Sequence, residues 1–249
     1  MARFVSSAQN RAKRANCANL TQTKKTQAVH WYDYFSGLGL EQLEAIHALN
    51  PNLPLLNTEA CFLESLTTNW DVGFFYAVDI IGDLRHWVGG WLGWNSVLLS
   101  GDKFPESYGG PNHDNTTHFG DPILFEFNMS GTQRLVFQPS YYVLGHFSRV
   151  MLPGAFVVRT EGTTASSFAD FEGLRNRTLT CWNRACPPAA GFPLLSVGFT
   201  DPVRGQAGVV VANVNAAGVD FVLGDVQGGR ASKSRIPGLS IQTYTFSST

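Results

Sequence analysis

The stretch LLNTEACF, residues 55–62, carries the strongest structural signal in the chain. A short apolar run ends here in a single carboxylate, Glu59, and small and aromatic residues follow it instead of further charge. In a parallel α/β barrel, the carboxyl end of a strand is where catalytic side chains lie, because the loops there form the open face of a packed core. The pattern predicts a buried strand that presents Glu59 at a candidate site, with an ordinary loop glutamate as the alternative.

Three further segments support this arrangement. AVHWY, residues 28–32, ends a second apolar run in a histidine and two aromatic residues. GWLGWN, residues 90–95, contains a strand after a Gly-Gly break and presents Trp94 and Asn95, and YGGPN, residues 108–112, is a turn-forming cluster on the loop that follows. Aromatic faces stack on pyranose rings, while amides and carboxylates bind sugar hydroxyls. The combination predicts a site that recognises and cleaves sugars.

Composition narrows the classes of partner. The chain has 249 residues, is 44% hydrophobic and 15% charged, and has a formal net charge of −1. Nucleic acid is an unsuitable partner, because binding to phosphates needs a basic surface. We expect no cofactor and no metal site. Cys181 and Cys186 have no second Cys or His pair nearby, which favours a small disulfide over a metal centre.

The pattern of the chain divides it into three parts. Residues 1–27 are polar and basic and cannot be placed. Residues 28–148 alternate strand and helix in the manner of βα units. The predicted elements are strands at 26–32, 53–59 and 91–99 and helices at 40–49 and 71–88. Three such strands cannot close a barrel.

Residues 149–249 have a different sequence pattern. Short β runs are separated by Gly, Asp and Pro, and no convincing helix is predicted, so this part is expected to be an antiparallel β-sandwich domain. A Ser/Thr-rich stretch near 160–192 is predicted to be an inserted loop.

Seven sequence blocks resemble the glucosylceramidases, or acid β-glucosidases, of glycoside hydrolase family 30. The blocks are HWY, NTEAC, GWLGWN, GGPN, DPI, YVLGHFSR and SIQTY, in the family's order, from about residue 28 to the C-terminus. The resemblance implies the last strands of a (β/α)8 TIM barrel followed by the C-terminal β-sandwich domain. We therefore expect the chain to represent the C-terminal portion of such an enzyme, as a fragment or a reduced relative.

The resemblance also implies roles for individual residues. Glu59 matches the nucleophile of a retaining glycosidase. The matches to substrate-binding positions are His30, Tyr32, Trp94, Asn95 and Asn115. His30 and Tyr32 would orient Glu59, and Trp94 would form an aromatic wall of the glucose subsite; each could instead be an ordinary packed residue. The family's acid/base is a glutamate directly after an asparagine. No glutamate of this chain follows an asparagine, so we expect the chain alone to be inactive.

The implied activity is hydrolysis of the β-glucosidic bond of glucosylceramide in sphingolipid catabolism. The implied setting is lysosomal or secreted, with peripheral membrane contact and a lipid-presenting activator protein as partner. The basic N-terminus has no apolar core, so it is not expected to be a signal peptide. Two alternatives stay open: a family 30 enzyme for another β-glycan, and a non-catalytic carbohydrate-binding or interaction protein.

Overall fold

The computed structural model describes residues 26–31, 39–60, 63–64, 70–94, 96–100, 118–119, 122–127, 133–160, 167–180, 191–225 and 229–247. Its helices are α1 (Leu40–Leu49), α2 (Trp70–Arg85), α3 (Pro139–Ser148) and α4 (Phe168–Thr180). Its strands are β1 (Gln27–His30), β2 (Leu55–Glu59), β3 (Leu63–Glu64), β4 (Val88–Trp91), β5 (Val97–Ser100), β6 (His118–Phe119), β7 (Ile123–Phe127), β8 (Gln133–Phe137), β9 (Phe156–Val158), β10 (Leu195–Asp201), β11 (Gln206–Asn213), β12 (Val219–Asp225), β13 (Arg230–Ile236) and β14 (Ser240–Ser247).

A parallel three-stranded sheet contains the strand that ends in Glu59. Its order is β1-β2-β4, with α1 and α2 in the connections between successive strands. The third strand lies at Val88–Trp91 and not at the predicted 91–99, because the Gly-Gly pair is part of the strand. A Cβ at Gly90 would lie 2.9 Å from Leu56 Cδ2, so a larger residue there would require the Leu56 side chain to shift.

Two smaller groups of strands follow β4 in the chain. A mixed sheet has the order β5-β7-β8, in which β5 and β7 are parallel and β7 and β8 are antiparallel. The two-residue strands β3 and β6 pair with each other in antiparallel orientation.

Helix α2 is the centre of the main hydrophobic core. Its residues from Val72 to Asp83 are buried almost without interruption, which requires packing on several sides. It contacts β4 on one side and α3, α4 and β10 on others. No helix among the described residues is long and apolar enough to span a bilayer.

The C-terminal part contains two antiparallel groups of strands. One is a four-stranded sheet in the order β14-β11-β10-β9, and the other is the β12-β13 hairpin. A small apolar cluster lies between them, made of Leu194, Val209, Val211, Phe221 and Ile236. The predicted antiparallel strands are therefore present. A separate sandwich domain, and the boundaries at 27 and 148, stay predictions.

The predicted absence of a helix after Ser148 is wrong. Within the stretch expected to be an inserted loop, α4 buries Phe171 and Leu174 completely. Its start is capped reciprocally: the Ser167 hydroxyl accepts from the Asp170 amide at 3.1 Å, and the Asp170 carboxylate accepts from the Ser167 amide at 3.0 Å. This is the capping-box arrangement with Asp in place of Glu. The Ser/Thr-rich composition obscured this short signal. Cys181 and Cys186 lie outside the described residues.

A half-buried arginine joins α2 to the C-terminal sheet. Arg85 Nη1 donates to Thr160 Oγ1 at 2.9 Å and to the Ser196 carbonyl oxygen at 3.1 Å. Its guanidinium also lies 5.9 Å from the centre of the Phe171 ring. Burial, followed by the neighbouring charge of Arg159, lowers the pKa of Arg85, although Asp170 opposes this effect. The two parts of the chain thus share a polar contact inside one core.

Candidate active site

Glu59 and His30 end neighbouring parallel strands, so both lie at the same edge of the sheet. A shift in register places His30 opposite Glu59. His30 Nδ1 and Glu59 Oε2 are 3.8 Å apart, which is within reach of an ion pair but too long for a hydrogen bond. The Glu59 side chain is 24% exposed and that of His30 is 46% exposed. The carboxylate is thus held in the fold but is accessible from solvent.

Backbone hydrogen bonds place Trp94 beside this edge. The Leu92 amide donates to the Asn57 carbonyl at 2.9 Å, and the Trp94 amide donates to the Ala60 carbonyl at 2.7 Å. The segment after β4 therefore runs along the end of β2, where Glu59 lies. Trp94 is 43% exposed and offers an aromatic surface on which a sugar ring could stack.

Three of the six predicted site residues are brought together, and three lie outside the described residues. His30, Glu59 and Trp94 share the carboxyl-terminal edge of the parallel sheet. Tyr32, Asn95 and Asn115 are not described. The role predicted for each of the six stays a prediction.

Sequence reasoning missed a buried polar contact directly behind Glu59. Asn57 Nδ2 donates to Asp83 Oδ2 at 2.8 Å, and the Glu59 amide donates to Asn57 Oδ1 at 3.3 Å. Asn57 is only 2% exposed and Asp83 only 3%. The side chain of Asn57 therefore links helix α2 to the backbone of Glu59.

A second aspartate of α2 supports the neighbouring strand. Trp91 Nε1 donates to Asp79 Oδ2 at 2.7 Å. The ring of Trp91 packs at 6.1 Å from Trp31, the residue after His30, and at 5.7 Å from Tyr76. Asp79 and Asp83 are four residues apart on the buried face of α2. Two carboxylates at that spacing on an apolar face indicate polar partners, and this signal could have been used.

The arrangement is suited to chemistry at a single carboxylate. Asp79 and Asp83 are buried and bonded to Trp91 and Asn57, so they are poorly placed to meet a substrate, whereas Glu59 is open to solvent. Among the described residues, no group of three or more His, Cys, Asp or Glu side chains could hold a metal ion.

Comparison with known proteins identifies the family. The sequence profile of the glycosyl hydrolase family 30 TIM-barrel domain matches residues 15–151. The chain belongs to this family. In this family 30 chain, Glu59 and its neighbours therefore lie on strands of a TIM-barrel domain, which confirms the predicted barrel class.

Two curated relatives carry glucosylceramidase names. Lysosomal acid glucosylceramidase of Mus musculus is 32% identical over 226 residues, which cover 88% of this chain and 36% of the relative. A Caenorhabditis elegans protein named provisionally as glucosylceramidase 4 is 32% identical over 152 residues, which cover 59% of this chain and 27% of the relative. The family 30 chain thus spans about a third of the length of these relatives.

Solved structures show the same fold. SrfJ from Salmonella typhimurium superposes with a TM-score of 0.63 at 24% identity, over 88% of this chain and 40% of that one. An endo-β1,6-glucanase superposes with a TM-score of 0.59 at 22% identity, over 90% of this chain and 41% of that one. At these identities the likeness concerns the fold alone.

Proposed function

We propose that this family 30 chain supplies the nucleophile and part of the glucose subsite of a retaining β-glucosidase. The observation that carries the proposal is the Glu59 carboxylate, which is partly exposed at the carboxyl end of β2 with His30 Nδ1 at 3.8 Å. Trp94 lies along the same edge and provides a stacking surface. A charged, accessible carboxylate beside an exposed aromatic ring suits attack on a bound sugar.

The proposed reaction has two displacements. The Glu59 carboxylate forms a bond to the anomeric carbon while the bond from that carbon to the aglycone oxygen breaks. A proton from an acid/base residue neutralises the leaving oxygen. Water then attacks the same carbon, gives a proton to the acid/base and releases Glu59 and glucose. The acid/base has no assigned residue among these 249, because no glutamate here follows an asparagine.

Glucosylceramide is the proposed substrate, in a lysosomal setting. The support is the identity to a mouse relative whose name is lysosomal acid glucosylceramidase. A lipid glycoside is embedded in a membrane or presented by a carrier. Peripheral membrane contact and a lipid-presenting activator protein are therefore the proposed partners.

An exposed aromatic patch supports the membrane contact. It is made of Trp70, Phe137, Tyr141 and Tyr142. The rings contact one another in sequence, with centroids 5.7 Å apart for Trp70 and Tyr142, 5.4 Å for Tyr142 and Tyr141, and 4.7 Å for Tyr141 and Phe137. Trp and Tyr are favoured where one end of a side chain meets lipid and the other meets water.

A non-catalytic carbohydrate-binding protein is the second candidate. The absence of an Asn-Glu pair in these 249 residues favours it, because one carboxylate without a proton donor does not complete the catalytic pair. This candidate and the glucosidase both predict sugar binding, but only the glucosidase predicts a covalent intermediate.

Trapping of the intermediate tests the proposal. The 249-residue protein is incubated with a 2-deoxy-2-fluoro-β-glucoside that carries a dinitrophenyl leaving group, which departs with little acid assistance. Intact mass spectrometry and peptide mapping are expected to find one fluoroglucosyl group on Glu59. Glu59→Gln is expected to abolish labelling. Glu44→Gln removes a carboxylate of α1 that binds Trp87 Nε1 and serves as the control.

The outcomes separate the candidates. A label on another residue would refute the assignment of Glu59, and saturable glucose binding without any label would favour the carbohydrate-binding protein. Protection from labelling by glucosylceramide vesicles, but not by xylan or β-1,6-glucan, is expected for the lipid substrate. Protection by a polysaccharide alone would indicate that this glycan, and not glucosylceramide, is the substrate.

A further inference from the structure

We propose that Asn57 and Asp83 form a positioning pair that fixes the backbone of Glu59 and so directs its carboxylate. The pair does not touch the reacting atoms and acts only through Glu59. Its importance for turnover rests on the proposed function, whereas its effect on the Glu59 backbone is a separate property that can be measured without catalysis.

The first step in the argument is the register of the parallel sheet. Pairing between β1 and β2 is irregular between Val29 and His30, and pairing between β2 and β4 is irregular between Leu55 and Asn57. The register therefore changes on both sides of the end of β2. At this point the amide of the half-buried Glu59 donates to Asn57 Oδ1, with 3.3 Å between the two atoms.

The second step is the orientation of the Asn57 amide. An asparagine amide can turn over, which would exchange its oxygen for its NH2 group. In its ionised form the Asp83 carboxylate accepts hydrogen bonds and donates none, so this form requires the NH2 group to face it. With Nδ2 held at 2.8 Å from Asp83 Oδ2, the carbonyl oxygen must point toward Glu59. Asp83 thus selects the one orientation of Asn57 that can accept the Glu59 amide.

The third step is the burial of the supporting helix. Asp83 lies on α2, where the residues from Val72 to Asp83 are buried, and is itself 3% exposed. A hydrogen bond is stronger where water is excluded. The end of β2 is therefore joined to a deeply buried helix of the main core.

Asp79 provides a matched control on the same helix. It is one turn earlier on the helix, is also buried, and accepts a hydrogen bond from Trp91 Nε1 at 2.7 Å, whereas the Asn57 hydrogen bond goes to Asp83. Asp79→Asn keeps an oxygen for Trp91 and removes the same charge from the same buried face. Any general effect of losing a carboxylate from α2 should appear in this variant as well.

The test combines two readouts on the 249-residue protein. NMR-detected hydrogen exchange measures protection of the Glu59 amide relative to amides of β11. The fluoroglucoside above measures the rate constant and the apparent binding constant of labelling. We expect Asn57→Ala to reduce protection of the Glu59 amide selectively and to lower the labelling rate constant roughly 10- to 100-fold with little change in binding. Asp83→Asn removes the preference for one amide orientation and is expected to have a smaller effect in the same direction.

Exchanging the amide and the carboxylate between positions 57 and 83 distinguishes a loss of positioning from simple misfolding. In the double variant Asn57→Asp/Asp83→Asn, the carboxylate at position 57 can accept from both the amide at position 83 and the Glu59 backbone. Protection of the Glu59 amide is expected to return, and labelling is expected to recover relative to Asn57→Ala, while Asp79→Asn resembles the wild type in both readouts.

The outcomes are distinguishable. Unchanged Glu59 protection in Asn57→Ala, or an equal loss in Asp79→Asn, would overturn the positioning pair. If the wild type is not labelled at all, the proposed function fails, and the exchange data still decide whether the pair holds Glu59.

Discussion

The parallel sheet around Glu59 and the antiparallel sheet of the C-terminal part differ in strand length and in the regularity of their pairing. β10, β11 and β14 pair residue by residue over seven or eight positions without interruption. β1, β2 and β4 are four or five residues long, and their pairing shifts at the positions next to the site. In the regular sheet, the main-chain pairing is continuous and the inward-facing valines are buried. In the irregular one, the Glu59 amide donates to the Asn57 side chain where the register shifts, and the Glu59 carboxylate is partly exposed to solvent.

The largest effect is expected at the irregular end. Glu59→Gln keeps the volume of the side chain but removes the nucleophile. In a completed version of the enzyme, which also contains the acid/base, we expect glucosidase activity to fall about four orders of magnitude, or about 5 kcal/mol of barrier. Steady-state kinetics and thermal melting of the same samples check this. Retention of more than about a tenth of the activity, a change of under 1.4 kcal/mol, would show that Glu59 is not the nucleophile.

A glycine substitution tests the regular sheet. A Cβ at Gly208 would overlap the Tyr244 carbonyl oxygen and the Phe199 ring, so Gly208→Ala is expected to lower the free energy of unfolding by about 2–3 kcal/mol. Urea denaturation measures the loss. Gly173→Ala in α4 is the control, since nothing lies within 4 Å of its added Cβ.

The comparison predicts that substitutions in the two sheets change different properties of the protein. Gly208→Ala should leave the rate constant of labelling at Glu59 unchanged in the folded fraction, whereas Asn57→Ala should change it. A fall in that rate constant with Gly208→Ala would mean that the antiparallel sheet also shapes the site.

Acid is expected to lower the stability of the folded protein through His146 of α3. His146 Nδ1 lies 2.8 Å from Thr243 Oγ1 on β14. Burial, then the charge of Arg149, lowers the pKa of His146 in the folded protein. From about pH 6.5 downward the unfolded chain binds the proton first, so the free energy of unfolding falls as the pH drops toward the lowered pKa.

Replacement of this histidine isolates its contribution. His146→Gln can still donate to Thr243 and does not titrate, so its free energy of unfolding should depend less on pH between 7 and about 5. Urea denaturation at several pH values compares the two proteins. Identical pH dependence would exclude His146 as a contributor.

The smallest effect is expected in the exposed hairpin. Arg235 Nη1 donates to both carboxylate oxygens of Asp220 at 2.9 Å, but the two side chains are 61% and 76% exposed. Exposed pairs contribute little, so Arg235→Gln should cost less than about 0.5 kcal/mol. A double-mutant cycle with Asp220→Asn measures the coupling, and a value above about 1 kcal/mol would contradict the expectation.

The sequence was most informative where a short apolar strand is followed by a single candidate site residue. His30, Glu59 and Trp94 could be assigned to a common edge because each follows a short apolar run. Their grouping needed only the rule that parallel strands end on the same side. The strand at Val88–Trp91 was misplaced because a Gly-Gly pair suggests a break, whereas the structure includes both glycines in the strand.

Features that depend on distant partners could not be predicted from local patterns. Strand β13 is polar, RASKSRI, and is defined by its pairing with β12. Helix α4 lies in a polar stretch, and among its residues with described side chains Phe171 and Leu174 are the completely buried apolar ones. Asn57 and Asp83 are 26 residues apart, so their hydrogen bond exists only after α2 packs on the sheet.

The hydrogen bonds of Arg85 bear on whether the part of the chain after Ser148 can be removed without loss of the fold. A chain cut after Ser148 would lose Thr160, Ser196 and the Phe171 ring together, and with them these contacts of Arg85. It would also expose to water the apolar surface of α2 that packs on α4 and β10, which costs free energy in proportion to its area. The C-terminal sheet is therefore part of the same core as α2, and we expect the two to unfold together.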